Sequence, residues 1–365
     1  MTKIEFSPLI DGHVHVCKVG ETKAITACLK ATNTTQAGVA CQYEDLATNT
    51  NPAGFVLKAR HPDRFYLLAG LEHAELLYGA DATLSPAEQV GLLHTLGTDG
   101  IKLLASKPTG RKRLGVPVDG PYFEPFFTSC EALGMPLLWH VADPEEFWEP
   151  NRLPAWARKQ GWGYDASYAS KEDLYRETEN VLDRHPGLRV VLPHFYFLSA
   201  RLDRAAAFLE RFPGAHFDLA PGIELYYNLS RDVDRSRDFF TRFSDRILFG
   251  TDILSEHSIT EARYRTGIVL RFLSGDEAFR VPDGADFLLG PPEDGVIRGL
   301  SLPDEALHNI LQGNFHRIYG ASPRSLDVSL ARQECLRLAA IESEVGDCPL
   351  DQTEGSCGAQ KMEGT

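Results

Sequence analysis

Short apolar runs, several rich in β-branched residues, alternate with amphipathic segments from residue 5 to residue 320. The runs read as strands: "LIDGHVHV" (9–16), "AGVACQ" (37–42), "FYLLAGLE" (65–72) and "GIKLLA" (100–105) come first. "PLLWHVA" (136–142), "RVVLPHF" (189–195), "AHFDLA" (215–220) and "RILFGTD" (246–252) follow. The intervening stretches carry helical spacing, as in "SPAEQVGLLHTLG" and in "ARLDRAAAFLERFPG" with its Pro-Gly stop. Strands separated by helices predict a parallel sheet covered by helices. Eight of them is the number that closes a (β/α)8 TIM barrel, an α/β fold. A doubly wound open sheet would carry a Gly-rich turn after its first strand, and here histidines stand there instead.

Two regions break the alternation. Residues 143–170 form a long aromatic-rich connection after the fifth strand, the kind of loop that covers or binds a substrate. A second insertion spans roughly 253–301 and contains the helix-like "TEARYRTGIVLRFL". "PDEALHNILQGNFHRIYG" closes the barrel domain, assigned to residues 1–322. Residues 323–365 are left as a C-terminal helix, over 326–343, and a tail without apolar period that is expected to be disordered.

Composition narrows the class. With 43% hydrophobic and 24% charged residues, the chain of 365 residues suits a globular enzyme. Its net charge of -14 argues against a nucleic-acid partner, because no cationic excess exists to displace counterions from phosphates. Only "KPTGRKR" (107–113) is locally basic, and Arg111 or Arg113 there could clamp an acidic substrate. Seven scattered cysteines form no disulfide framework. The first residues show no signal-peptide pattern, and no apolar run matches a membrane span. A cytoplasmic home and no membrane contact are expected.

The chemistry lies at strand ends. Asp11, His13 and His15 occupy every second position of the first strand, so they share one face. His140, His194 and Asp252 stand at or near the ends of the fifth, sixth and eighth runs, where a barrel keeps its active site. One buried histidine is ordinary. Several imidazoles and carboxylates at equivalent ends, each costing about 1–3 kcal/mol if left unpaired, call for a shared partner, and a divalent metal serves. Nitrogen and oxygen donors without cysteine favour Zn²⁺, with Mn²⁺ and Fe²⁺ as alternatives; Ca²⁺ and Mg²⁺ would want mostly oxygen.

In order along the chain, "DGHVHV", "GIKL", "LLWHVAD", "VVLPHF", "LFGTD" and "GNFHRIYG" resemble the motifs of the amidohydrolase superfamily. They are most similar to its amidohydrolase-related group of lactonases, other hydrolases and non-oxidative decarboxylases. The resemblance spans roughly residues 8–320 and implies a barrel with a metal at its C-terminal mouth. It implies His13, His15, His140 and Asp252 as ligands of one metal per chain, and His194 as a further ligand or as an acid or base. Lys102 stands where some superfamily members carry a metal-bridging carboxylated lysine; it equally suits a substrate carboxylate or an ion pair in the barrel mouth. Glu72 and His73 could line the pocket. The group also suggests a homodimer.

The reaction expected first is hydrolysis of a small ester, lactone or amide. Asp252 would accept and return the proton of a metal-activated water while His194 orients the water or polarises the carbonyl. The alternative keeps the site and decarboxylates a small aromatic acid, with Asp252 or His194 as proton donor. A barrel that has lost catalysis and only binds is the non-enzyme alternative, opposed by the complete donor set. A related metal-bearing nuclease is disfavoured by the charge and by the lack of an acidic motif after the fourth strand.

Overall fold

The computed structural model describes residues 8–42, 46–282 and 295–363. Its strands are β1 (Leu9–His15), β2 (Thr34–Cys41), β3 (Phe65–Ala69), β4 (Gly100–Ser106) and β5 (Leu137–Val141). They continue with β6 (Val190–Leu192), β7 (Ala215–Asp218), β8 (Ile247–Leu248) and β9 (Ile253–Leu254). One parallel sheet holds them in the order β8-β7-β6-β5-β4-β3-β2-β1-β9. Of the predicted eighth strand, 246–252, only β8 is extended in the sheet, pairing with β7, Asp218 opposite Leu248; β9 lies just beyond it, at the start of the stretch read as the second insertion, and pairs with β1, His15 opposite Leu254. The backbone of residues 249–252 bridges β8 and β9, with Gly12 N–H donating to Phe249 O at 2.9 Å and Asp252 N–H donating to His13 O at 2.8 Å. The sheet therefore curls into the expected TIM barrel.

Two layers of apolar packing hold it. Outside the sheet, helices bury one stripe each; the helix Leu202–Arg211 buries Leu202, Ala205, Phe208 and Leu209, the i, i+3, i+4 spacing its sequence shows. Inside the barrel, Ile10, Ala40, Tyr66, Leu68, Leu138, Val191 and Leu248 pack together. Phe315, Ile318 and Tyr319 of the closing helix join that inner cluster and seal the end of the barrel away from the strand C-termini. This leaves only the opposite mouth for chemistry.

The 143–170 connection folds over that mouth as two short helical turns, Glu145–Trp148 and Ala155–Lys159. Phe147, Ala157 and Tyr164 pack there with Ile223 in a small cluster separate from the main core. The second insertion holds the helix Ile259–Ser274 and an antiparallel pair, Ala278–Arg280 with Val296–Arg298. Its portion at 283–294 lies outside the described residues. Among the described residues, no helix is long and apolar enough to cross a membrane.

The expected disordered tail is corrected. After the helix Val328–Gly346, residues 354–361 form another helix, begun by a Thr353 side chain that accepts from Ser356 N–H. It docks through glycine backbone: a Cβ on Gly355 would lie 2.3 Å from Cys335 O, and one on Gly358 would lie 2.8 Å from Pro52 Cβ. Contact made by missing side chains leaves no apolar stripe in the sequence. All seven cysteines are free, as their scatter implied.

Candidate metal centre

His13, His15 and Asp252 converge at the barrel mouth. His13 Nε2 lies 3.1 Å from His15 Nε2, and Asp252 Oδ1 lies 3.6 Å from the first and 3.2 Å from the second. Atoms sharing one cation at bond lengths of about 2.0–2.2 Å in a tetrahedral shell sit roughly 3.3–3.6 Å apart. The three donors, 3.1–3.6 Å apart, come within a few tenths of an ångström of that spacing.

The protonation pattern agrees. Burial opposes a charge on Asp218, but His13 beside it more than offsets this, and the Asp218 carboxyl is held down at about 2. Asp218 Oδ2 is therefore an ionised acceptor, 2.8 Å from His13 Nδ1. The His13 proton sits on Nδ1, and Nε2 presents a lone pair to the cluster. Burial keeps His15 neutral, lowering it to about 4. Asp252 stays well below the ordinary carboxylate range, because His15 and His13 more than offset its burial. Two lone-pair-bearing groups and a carboxylate oxygen facing one another fit a divalent cation.

Neighbouring side chains fix these donors. Asp11 shares the β1 face but serves the scaffold: its carboxylate accepts from Thr251 Oγ1 at 2.5 Å and from Thr251 N–H at 3.1 Å. Thr251 precedes Asp252, whose backbone is in the left-handed region with φ of 54°. Arg265 steadies that exit, donating to Asp252 O at 3.1 Å and standing 3.8 Å from Asp252 Oδ2. Arg265 also bonds Glu261 Oε1 at 3.2 Å, and the same oxygen meets His257 Nε2 at 3.2 Å.

His194 is placed by an unusual turn. His194, Phe195, Tyr196 and Phe197 all have φ between 50° and 57°. Left-handed conformation costs non-glycine residues roughly 1–2 kcal/mol each, so outside bonds must hold it. Asp218 Oδ1 accepts from His194 N–H at 2.8 Å, Tyr175 O–H donates to Tyr196 O at 2.9 Å, and Lys171 Nζ donates to Phe197 O at 3.3 Å. The turn stacks Phe197 on the His194 ring at 5.3 Å and sets that ring 5.7 Å from His13. His194 Nδ1 faces Ala220 O at 3.1 Å, so Nδ1 carries the proton and Nε2 the lone pair. Burial and nearby His140 lower its pKa to about 4.

The remaining sequence-predicted residues divide. His140 lines the same cavity, but its Nε2 meets Asp143 Oδ1 at 3.2 Å and is not among the three converging atoms. Lys102 is buried at the cavity floor with Nζ 3.2 Å from His13 Nε2; burial brings it down to about 8, against the pull of Asp252 and Asp218. Arg111 and Arg113 are corrected. Arg111 Nε pairs with Glu177 at 3.1 Å, Arg113 reaches Tyr78 O–H at 3.0 Å, and neither lines the cavity, because their helix Pro108–Leu114 turns them outward. Glu72 is likewise structural, paired with Arg337 at 2.9 Å, and His73 meets Tyr122 at 3.0 Å. The sequence reading missed Asp218, Asp143 and Arg265. Asp218 closes "AHFD" at a strand end, the same signal that marked Asp252.

Above these donors opens a cavity of about 320 Å³, walled by Leu104, Phe147, Trp156, Trp162, Phe197 and Ile223. That size takes a small organic molecule.

A family profile described as Amidohydrolase matches residues 10–321. Among solved structures, the chain is similar to an uncharacterised TIM-barrel protein from Bordetella bronchiseptica, at 15% identity and a TM-score of 0.52, covering 89% of this chain and 99% of that one. It is similar to 2,6-dihydroxybenzoate decarboxylase from Rhizobium, at 14% identity, a TM-score of 0.52, and coverage of 86% and 99%. It is also similar to 5-carboxyvanillate decarboxylase from Sphingomonas paucimobilis, at 15% identity, a TM-score of 0.51, and coverage of 86% and 98%. No curated protein matches by sequence.

Proposed function

The chain belongs to the amidohydrolase family, and from that premise we propose that it is a metal-dependent hydrolase of a small ester, lactone or amide. The observation that carries this is the convergence of His13 Nε2, His15 Nε2 and Asp252 Oδ1 at the floor of a cavity with aromatic and aliphatic walls. A divalent ion held by those atoms, zinc by donor type, supplies Lewis-acid activation of water or of a substrate oxygen. Asp252 keeps Oδ2 on the far side of its carboxylate from the cluster oxygen, within 3.8 Å of Arg265. That carboxylate takes the proton of the attacking water and returns it to the leaving group. His194 aligns the water or the carbonyl through Nε2, in the neutral form that its burial enforces. Lys102 steers an anionic substrate group toward the floor, and the aromatic wall excludes bulk water.

Decarboxylation of a small aromatic acid is the second reading. The flat walls of Phe147, Trp156, Trp162 and Phe197 and the floor lysine favour it. One set of assays separates them. Metal-loaded protein is offered a panel of lactones and aryl esters and a panel of hydroxybenzoates, with acid release and CO₂ release both measured. Ester or lactone cleavage supports hydrolysis, whereas CO₂ release from the hydroxybenzoates without cleavage of any lactone or ester overturns it. His13→Ala and Asp252→Asn test the centre itself: elemental analysis is expected to find about one metal per chain in the parent protein and little in His13→Ala. Undiminished metal in that variant would refute the donor assignment.

A further inference from the structure

The connection that covers the barrel mouth carries a core of its own. Phe147, Ala157 and Tyr164 pack with Ile223, and Trp148, Leu153 and Trp162 close around them. Tyr164 N–H donates to Phe147 O at 2.8 Å and Leu153 N–H to Glu149 O at 3.0 Å, so the segment holds its shape through its own bonds. Polar ties to the outer helices run through exposed groups: Arg201 meets Glu145 at 2.8 Å, and Lys112 Nζ meets Ser167 Oγ at 2.7 Å. Exposed pairs of this kind hold weakly. Phe147, Trp156, Gln160 and Trp162 of the segment line the cavity, so its position decides access.

Beneath it the polar groups do not match. Glu146 Oε2, Trp148 Nε1 and Trp156 Nε1 are buried in the segment without hydrogen-bond partners, and no other residue donates to either buried oxygen of Glu224. Indole donors and carboxylate acceptors are both unsatisfied around one seam, where water would satisfy them all. The charges facing Glu224 include two of its own sign, Glu146 and Asp143 from the covering segment. Lys171, at the start of the helix Lys171–Arg184, opposes them, and Tyr175 follows one turn on. Glu145 and Arg201 act in turn on that lysine. Arg298, on the strand packed against the Leu225–Leu229 helix, is turned to Ser230 O at 3.5 Å. Burial raises the Glu224 carboxyl to about 7 against the pull of Lys171, and Glu146 adds to the rise.

We propose that residues 144–168 form a lid over the cavity and that Glu224 is its pH-sensitive latch: protonated, it lets the lid stay seated; ionised, it drives the lid off the mouth. A neutral carboxyl is tolerated beneath the aromatic cluster, and a buried carboxylate facing Glu146 is not. Opening hydrates both carboxylates and both indoles, while the core of the lid travels with it intact. The open form holds the Glu224 proton less tightly than the closed one. The open fraction therefore climbs as pH rises from the ordinary carboxylate range to about 7, and then levels. The inference goes beyond the choice of reaction and holds for either.

Ile223→Cys reports the seam, because Ile223 is 9% exposed and packs against the lid. The full chain is treated with N-ethylmaleimide at pH 5 to 8, and the modified peptide is quantified by mass spectrometry. Each rate is divided by that of a free cysteine peptide at the same pH. Where opening and closing are fast, the corrected rate follows the open fraction. It is expected to rise more than about ten-fold from pH 5 to pH 8, since the open fraction changes up to ten-fold for each pH unit of the window. Adding Glu224→Gln should shrink the rise to within about two-fold, and adding Glu146→Gln, which removes the facing charge from the lid side, should reduce it part way. A flat corrected rate in Ile223→Cys alone, or a rise that both added variants leave undiminished, overturns the latch. Labelling needs no turnover. A latch found in a protein that processes no substrate panel would sink the reaction reading alone, whereas turnover with a flat corrected rate would sink the latch alone.

Discussion

Glu224→Gln should change how the protein's stability responds to pH. Glu224 follows β7 and precedes the short helix Leu225–Leu229, beneath the aromatic connection. Both of its carboxylate oxygens are buried without a hydrogen-bond partner. Burial pushes its pKa from 4.5 up to about 7; Lys171 opposes the rise, and Glu146 and Asp143 add to it. The unfolded chain releases this proton near pH 4.5 and the folded chain holds it until about pH 7. Across that window the folded state binds more protons, so stability falls as pH rises, by on the order of 3 kcal/mol in total. Above pH 7 the loss is complete. Glutamine keeps the shape and removes the proton equilibrium. Urea unfolding at pH 5 and pH 8 measures the difference, read by tryptophan emission, since Trp148, Trp156 and Trp162 all lie in the overlying connection. Relative to Glu224→Gln, the parent protein is expected to lose about 3 kcal/mol between the two pH values. A difference between the two proteins that is the same at both pH values would refute the reasoning.

Three further outcomes follow from contacts described above. Tyr175→Phe removes the donor to Tyr196 O and leaves that carbonyl buried, costing about 1–3 kcal/mol by urea unfolding and lowering turnover more than metal content, which elemental analysis checks. Arg337→Ala leaves the Glu72 carboxylate, buried to 1% exposure, with only the Ala74 and Leu84 N–H groups for partners and no countercharge, and should cost about 3 kcal/mol, with faster proteolysis of the C-terminal helices as the visible sign. Gly97→Ala places a Cβ 1.9 Å from Ser325 O at a residue with φ of 89°, so the variant should express in inclusion bodies or melt far below the parent protein.

Much of the barrel is legible because buried parallel strands must be apolar on both faces, which writes them as uninterrupted runs such as "FYLLA". His13, His15 and Asp252 are legible for the opposite reason: each is a polar residue where that rule forbids one. Asp218 breaks the same rule and could have been found. Arg111 and Arg113 could not be placed, because a charge run does not disclose which way its helix faces, and Lys107 enters the cavity only by preceding that helix. The left-handed run of residues 194–197 has no glycine to announce it. It is imposed from outside by Asp218, Tyr175 and Lys171, which tertiary structure alone brings near.

The break between β8 and β9 has a consequence for assembly. Two of the three donor atoms belong to the first strand of the barrel and the third to the hinge between its last two strand fragments, on either side of the seam where the sheet meets itself. Closing the cylinder and bringing the three donor atoms together are therefore one event, and an ion held there as proposed would act as a rivet across that junction. At a thousand-fold excess over its dissociation constant it would add about 4 kcal/mol to the closed form. A nascent chain ending before residue 246 would hold two imidazoles and no carboxylate from that side, so the proposed metal site would be complete only in the finished ring.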